Sequence, residues 1–127
     1  MSEKSIAEKL MMKPGRSVLL INAFPGYTDL LGPLPENPIF MQETSTKVDI
    51  IQLFVKSRLE LEKHLPGIKG YLKPEGIIWV TYPKGTSKFA GDIHRDSINS
   101  YAKTLGLVGV AIVAIDQDWS ALRLKEG

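Results

Sequence analysis

Three short runs of apolar residues constrain this chain most: Val18-Leu19-Leu20-Ile21, the stretch Val48 to Val55, and Ile77-Ile78-Trp79-Val80. None alternates strictly between apolar and polar. A strand with one wet face alternates with a period of two, so consecutive apolar positions mean that both faces are covered. Helical patterns lie between the runs to do the covering. Ser57-Arg58-Leu59-Glu60 forms a capping box, and Leu61, Leu65, Ile68 and Leu72 then recur at helical spacing. Pro66 interrupts that pattern and predicts a bend or a restart. A second helix presents Ile98, Tyr101, Ala102 and Leu105, with Asp92 or Asp96 as its cap and Gly106 just past its end. Ser5 to Glu8 opens a third, which stops before Pro14-Gly15.

The strands expected in chain order are Ser17 to Asn22, a short edge strand Ile39 to Glu43, Val48 to Val55, Gly76 to Tyr82, Val108 to Ile115, and Trp119 to Leu124. The last two are joined by Asp116-Gln117-Asp118, a link too short for a crossover, so they form an antiparallel pair. The expected fold class is therefore α/β: a three-layer α/β/α arrangement whose mostly parallel sheet is closed by a C-terminal antiparallel hairpin. At 127 residues, one domain over 1–127 is expected.

Composition excludes several functions. With no Cys there is no thiol catalysis, thiolate metal site or disulfide framework. Lys and Arg number 16 against 14 Asp and Glu, a net charge of +2, which gives no reason to expect nucleic-acid binding. No apolar run approaches the length of a membrane span, so a cytoplasmic location is the default expectation. His64 and His94 stand on different elements without metal-ligand spacing, so no metal is expected.

In an open α/β sheet, ligands sit beyond the carboxyl ends of the parallel strands. Strand polarity places Asn22, Pro25, Gly26 and Tyr27 there, with Lys84, Lys88, Asp116, Trp119 and Ser120 from the later loops. Lys84 to Lys88 combines two ammonium groups, two hydroxyls and a glycine, a composition suited to an anion, although it lacks the spacing of a nucleotide-binding P-loop. Trp119 and Arg123 fall on one strand face. The Trp119 ring either packs against the core or stacks on a planar ligand. Arg123 requires a carboxylate partner, with Asp29, Asp49 or Asp116 as candidates. Residues 23–38 hold Pro25, Pro33, Pro35 and Pro38 and are expected to be mostly loop, with a helical turn over Tyr27 to Leu31.

Residues 48–124 resemble the second half of a class I methyltransferase domain. Val48-Asp49-Ile50-Ile51 is similar to that family's fourth strand, Leu72-Lys73-Pro74-Glu75-Gly76 to the turn before its fifth, and the closing strand-helix-hairpin to its end. The whole chain also resembles a small prokaryotic family of unknown function. The segments that carry this likeness are Asn22-Ala23-Phe24-Pro25-Gly26-Tyr27, Leu31-Gly32-Pro33-Leu34-Pro35, Trp79-Val80-Thr81-Tyr82-Pro83-Lys84 and Asp116-Gln117-Asp118-Trp119-Ser120-Ala121-Leu122-Arg123. These resemblances imply a reduced methyltransferase-like, Rossmann-like fold. They also imply a comparison with the family's S-adenosylmethionine (SAM) site, whose glycine-rich loop follows the first strand. Here Phe24 and Pro25 stand where that backbone should approach the cofactor closely. Glu43 lies at the interval expected for a ribose-binding acid. The stretch from Asn22 to Val48 is shorter than the family's corresponding pair of strands and helices.

The expectation is a non-catalytic module that holds a small ligand or a protein partner and has no cofactor. The enzyme alternative is SAM-dependent methyl transfer with Glu43 on the ribose. A third reading is a structural subunit, compatible with a homo-oligomer, that pairs through the hairpin edge.

Overall fold

The computed structural model describes residues 10, 17–22, 39–41, 47–85, 91–115 and 118–126. The expected helix at Ser5, the helical turn at 27–31 and the residues Pro25, Gly26, Tyr27, Glu43, Lys88 and Asp116 lie outside them.

Among the described residues six strands form one sheet in the order β2-β1-β3-β4-β6-β5. They are β1 (Ser17–Ile21), β2 (Ile39–Met41), β3 (Val48–Phe54), β4 (Leu72–Pro83), β5 (Leu107–Ala114) and β6 (Trp119–Glu126). The pairs β1–β2, β1–β3 and β3–β4 are parallel, whereas β4–β6 and β5–β6 are antiparallel. Only β6 runs against the rest. The apolar runs lie where burial on both faces is greatest: Val18, Ile50, Ile51, Ile78 and Val80 are almost completely inaccessible.

Alternate residues divide between two clusters, as the period-two geometry of a strand requires. Leu19, Ile51, Leu53 and Val80 face one side. There they meet Leu61, Leu65 and Ile68 of α1 (Arg58–Ile68) and Ile98 and Ala102 of α2 (Arg95–Thr104). Val18, Leu20, Ile50, Phe54, Trp79 and Trp119 face the other, with Leu10 among them. Both described helices therefore share one face. On the opposite face the Trp79 indole N–H donates to the Leu10 carbonyl at 3.0 Å.

The helix ends follow local chemistry. Ser57 Oγ accepts the Glu60 N–H at 3.2 Å, which is half of the expected capping box; the Glu60 carboxylate reaches back one residue further and accepts the Lys56 N–H at 2.7 Å. Pro66 lies in the last turn of α1. The helix runs through it to Ile68 and then tightens into a 3-10 turn over Lys69–Tyr71. The missing N–H of proline weakens only the end of a helix when it stands so late. Leu72, expected on the helix face, instead begins β4.

The cap of α2 is neither Asp92 nor Asp96 but His94. Its Nδ1 accepts the Ser97 N–H at 3.4 Å, and its own N–H donates to Ser97 Oγ at 3.0 Å. Asp92 caps across the fold instead, accepting the Arg58 N–H at 3.0 Å. Gly106 ends α2 at φ +79°. Nothing lies within 4 Å of a Cβ placed there, so Gly106→Ala tests backbone strain alone. A loss of about 1 kcal/mol is expected, read from the urea midpoint.

Asp49 ties the starts of β1 and β3 together. Its carboxylate accepts from the Ser17 N–H at 2.9 Å and from the Ser17 hydroxyl at 3.2 Å, and it lies 3.5 Å from Lys73 Nζ. Burial pushes this carboxyl up, but the Ser17 donors and the Lys73 ammonium together outweigh it and hold it below 3.8. A depressed carboxylate contributes stability that is present above its unfolded pKa and is lost as pH falls through the folded value. Wild type should therefore exceed Asp49→Asn in stability at pH 7, and the gap should narrow below about pH 4. Urea midpoints at pH 7 and pH 3 check this.

Candidate functional site

Parallel strands β1, β3 and β4 all end at one edge of the sheet, and antiparallel β6 begins there. The chain leaves β1 to pair β2 on one side and returns to pair β3 on the other. That reversal is the topological switch point, where open α/β sheets leave a crevice.

Asn22 stands at its mouth, exposed and at φ +62°. Asparagine is among the few residues other than glycine that adopt this left-handed conformation readily. Its Nδ2 lies 3.1 Å from His64 Nε2 of α1. The amide donates there only if Nε2 is the unprotonated ring nitrogen, with the proton on Nδ1. Leu61 and Leu65 anchor α1 in the core and so hold His64 at this height. The pair bridges the end of β1 and the helix that follows β3.

Lys84 follows β4, half-buried, and its backbone N–H donates to the Asp118 carbonyl at 2.8 Å. That bond holds the β4 exit against the β6 entry. Lys84 lines a smaller cleft of about 380 Å³ with Tyr82, His94, Arg95 and Asp96. Burial pushes the Tyr82 phenol up, with Asp96 acting in the same direction and Arg95 against, so the hydroxyl there stays protonated well into alkaline pH.

Trp119 is only 5% exposed and packs edge-to-face on Phe54, with centroids 6.4 Å apart. Its ring belongs to the core, which corrects the expectation that it lines the cleft. Ser120 is also buried and points to the helical face, beside Tyr82 in register. Strand polarity thus brings Asn22, Lys84, Trp119 and Ser120 to one edge, but of these only Asn22 and Lys84 leave their side chains within reach of a ligand.

Of the carboxylates expected to pair with Arg123, Asp29 and Asp116 lie outside the described residues and Asp49 does not pair with it. Asp49 is occupied by Ser17 and Lys73, and Arg123 Nε is buried without a hydrogen-bond partner. No group of three His, Asp or Glu able to hold a metal occurs among the described residues. No described helix is long and apolar enough to cross a membrane.

The profile of DUF3052, a family of proteins of unknown function, matches residues 34–127. The chain belongs to that family. No curated protein matches the sequence. Solved structures with a similar fold include SAM or SAH complexes and SAM-dependent methyltransferases. A DhpI complex with S-adenosylhomocysteine (SAH) aligns with a TM-score of 0.62 at 12% identity, covering 96% of this chain and 82% of its own. The ribosomal protein L11 methylase of Lactobacillus delbrueckii subsp. bulgaricus gives 0.62 at 10%, covering 94% and 73%. A SAM-dependent methyltransferase of Clostridium acetobutylicum gives 0.59 at 10%, covering 96% and 87%. At such identities the likeness is one of fold. This DUF3052 chain thus has a methyltransferase-like, Rossmann-like α/β fold.

His64 was not among the residues expected at the site. Its partner is 42 positions away in sequence, and no local motif links the two.

Proposed function

We propose that this chain is a small-ligand-binding module on a reduced methyltransferase-like fold, and that it transfers no methyl group. In this reading residues 1–127 form one domain of three layers, with Leu10 on the sheet face opposite the two helices. The observation that carries the proposal is the Asn22–His64 bridge at the switch point. A cofactor-binding turn of the methyltransferase kind needs bare backbone beside β1. Here a side-chain amide and an imidazole occupy the mouth, and both can exchange their mutual hydrogen bond for bonds to a ligand. Phe24-Pro25 follow Asn22 closely in sequence, and a proline has no backbone N–H to donate.

SAM-dependent transfer is the second reading. It is favoured by the SAM and SAH complexes among the similar structures and by the left-handed turn at Asn22. Glu43 would hold the ribose.

Thermal unfolding separates the two. A ligand at 100 times its Kd adds about 2.7 kcal/mol, several degrees in Tm for a domain of this size. Neither SAM nor SAH at millimolar concentration should raise Tm. A member of a panel of small polar metabolites should, and Asn22→Ala and His64→Ala should abolish its effect. A saturable shift with SAM or SAH overturns the proposal in favour of the transferase. No shift with any compound, together with a dimer by light scattering, overturns it in favour of a structural subunit.

A further inference from the structure

Four cations meet at the opposite edge of the sheet, where β3, β4 and β5 begin and β6 ends. The register explains the space they surround. From Val48 to Ile50, β3 advances two residues, while its partner β4 advances from Leu72 to Ile77. The surplus residues of β4 bulge away and wall a cleft of about 710 Å³. The bulge is tight: a Cβ at Gly76 would lie 2.8 Å from the Lys73 carbonyl oxygen and 2.6 Å from the Leu72 side chain.

Lys47, Lys73, Arg123 and Lys125 line this cleft over a floor that includes Leu72 and Leu107. Only Lys73 has a carboxylate beside it, Asp49 at 3.5 Å. Among the described residues no carboxylate pairs with Lys47, Arg123 or Lys125. Arg123 enters the site with its Nε buried and without an acceptor. Natural structures satisfy nearly all such donors, yet among the described residues Arg123 lines the cleft without an internal anion to neutralise it.

We propose that this amino-edge cleft binds a phosphorylated small organic molecule. The cations and the Arg123 fork take the phosphate, and the apolar floor takes the organic part. The volume lies within the range of small-molecule sites and exceeds what orthophosphate alone would fill. The site is independent of the one at the carboxyl edge.

The test is titration of the full chain with 2-naphthyl phosphate, orthophosphate and 2-naphthol at constant ionic strength, followed by backbone amide shifts. Naphthyl phosphate should bind saturably, at least tenfold more tightly than orthophosphate or naphthol. The shifts should centre on residues 72–76, 107 and 123–125. Arg123→Gln should weaken binding at least tenfold. Lys47→Gln/Lys125→Gln, which alters only exposed side chains, should do the same with the fold intact, whereas Lys63→Gln on the outside of α1 should not. Shifts that are scattered or non-saturating, naphthyl phosphate no tighter than orthophosphate, or affinity unchanged in the double lysine variant would each overturn the proposal.

Discussion

Replacing Trp79 by alanine is expected to cost about 3–5 kcal/mol, the range for removing a large buried aromatic side chain. Trp79 is 1% exposed, lies in the cluster on the face opposite the helices, and is among the largest fully buried side chains. It also makes a long-range hydrogen bond to Leu10, 69 residues away. Trp79→Phe separates the two contributions. It keeps most of the packing but leaves the Leu10 carbonyl without its donor, for an expected loss of about 1–3 kcal/mol. Urea midpoints of the two variants measure the difference. If both cost the same, the hydrogen bond rather than the ring is what matters at this position.

The second large effect is expected at Leu65. This side chain is fully buried and presses α1 onto the sheet. Leu65→Ala should cost about 2–5 kcal/mol through lost burial and the cavity left behind. It should also disturb the neighbouring His64, so the Asn22 side-chain amide resonances should shift in the folded variant. A fully folded Leu65→Ala protein with unchanged Asn22 resonances would mean that α1 does not position the bridge.

Features set by adjacent residues were legible in the sequence. The Ser57 cap, the Gly106 terminus and the hairpin of β5 and β6 each depend on a few neighbouring side chains or on link length. The doubly buried strands were legible for the same reason. Choices among competing neighbours were not. Asp92, Asp96 and His94 are all able to cap α2, and only the fold assigns Asp92 to α1. The start of β4 was misplaced at Gly76 because Pro74 and Gly76 resemble a turn, whereas the bulge absorbs both within the strand. At the carboxyl edge, polarity alone identified which residues gather there. It could not tell that the Trp119 ring turns inward to Phe54, or that His64 reaches Asn22. The cleft at the other edge arises from a register jump, which no periodicity reveals.

One consequence of the strand order concerns synthesis. β6 is translated after the other five described strands, yet it lies between β4 and β5 and contributes Leu122 and Leu124 to the core. A nascent chain that has reached β5 has no partner on which to dock it. The sheet must wait, open along β4, until β6 clears the ribosomal exit tunnel. Cotranslational folding should therefore be abrupt rather than gradual, with protease resistance of stalled chains appearing only once β6 has emerged.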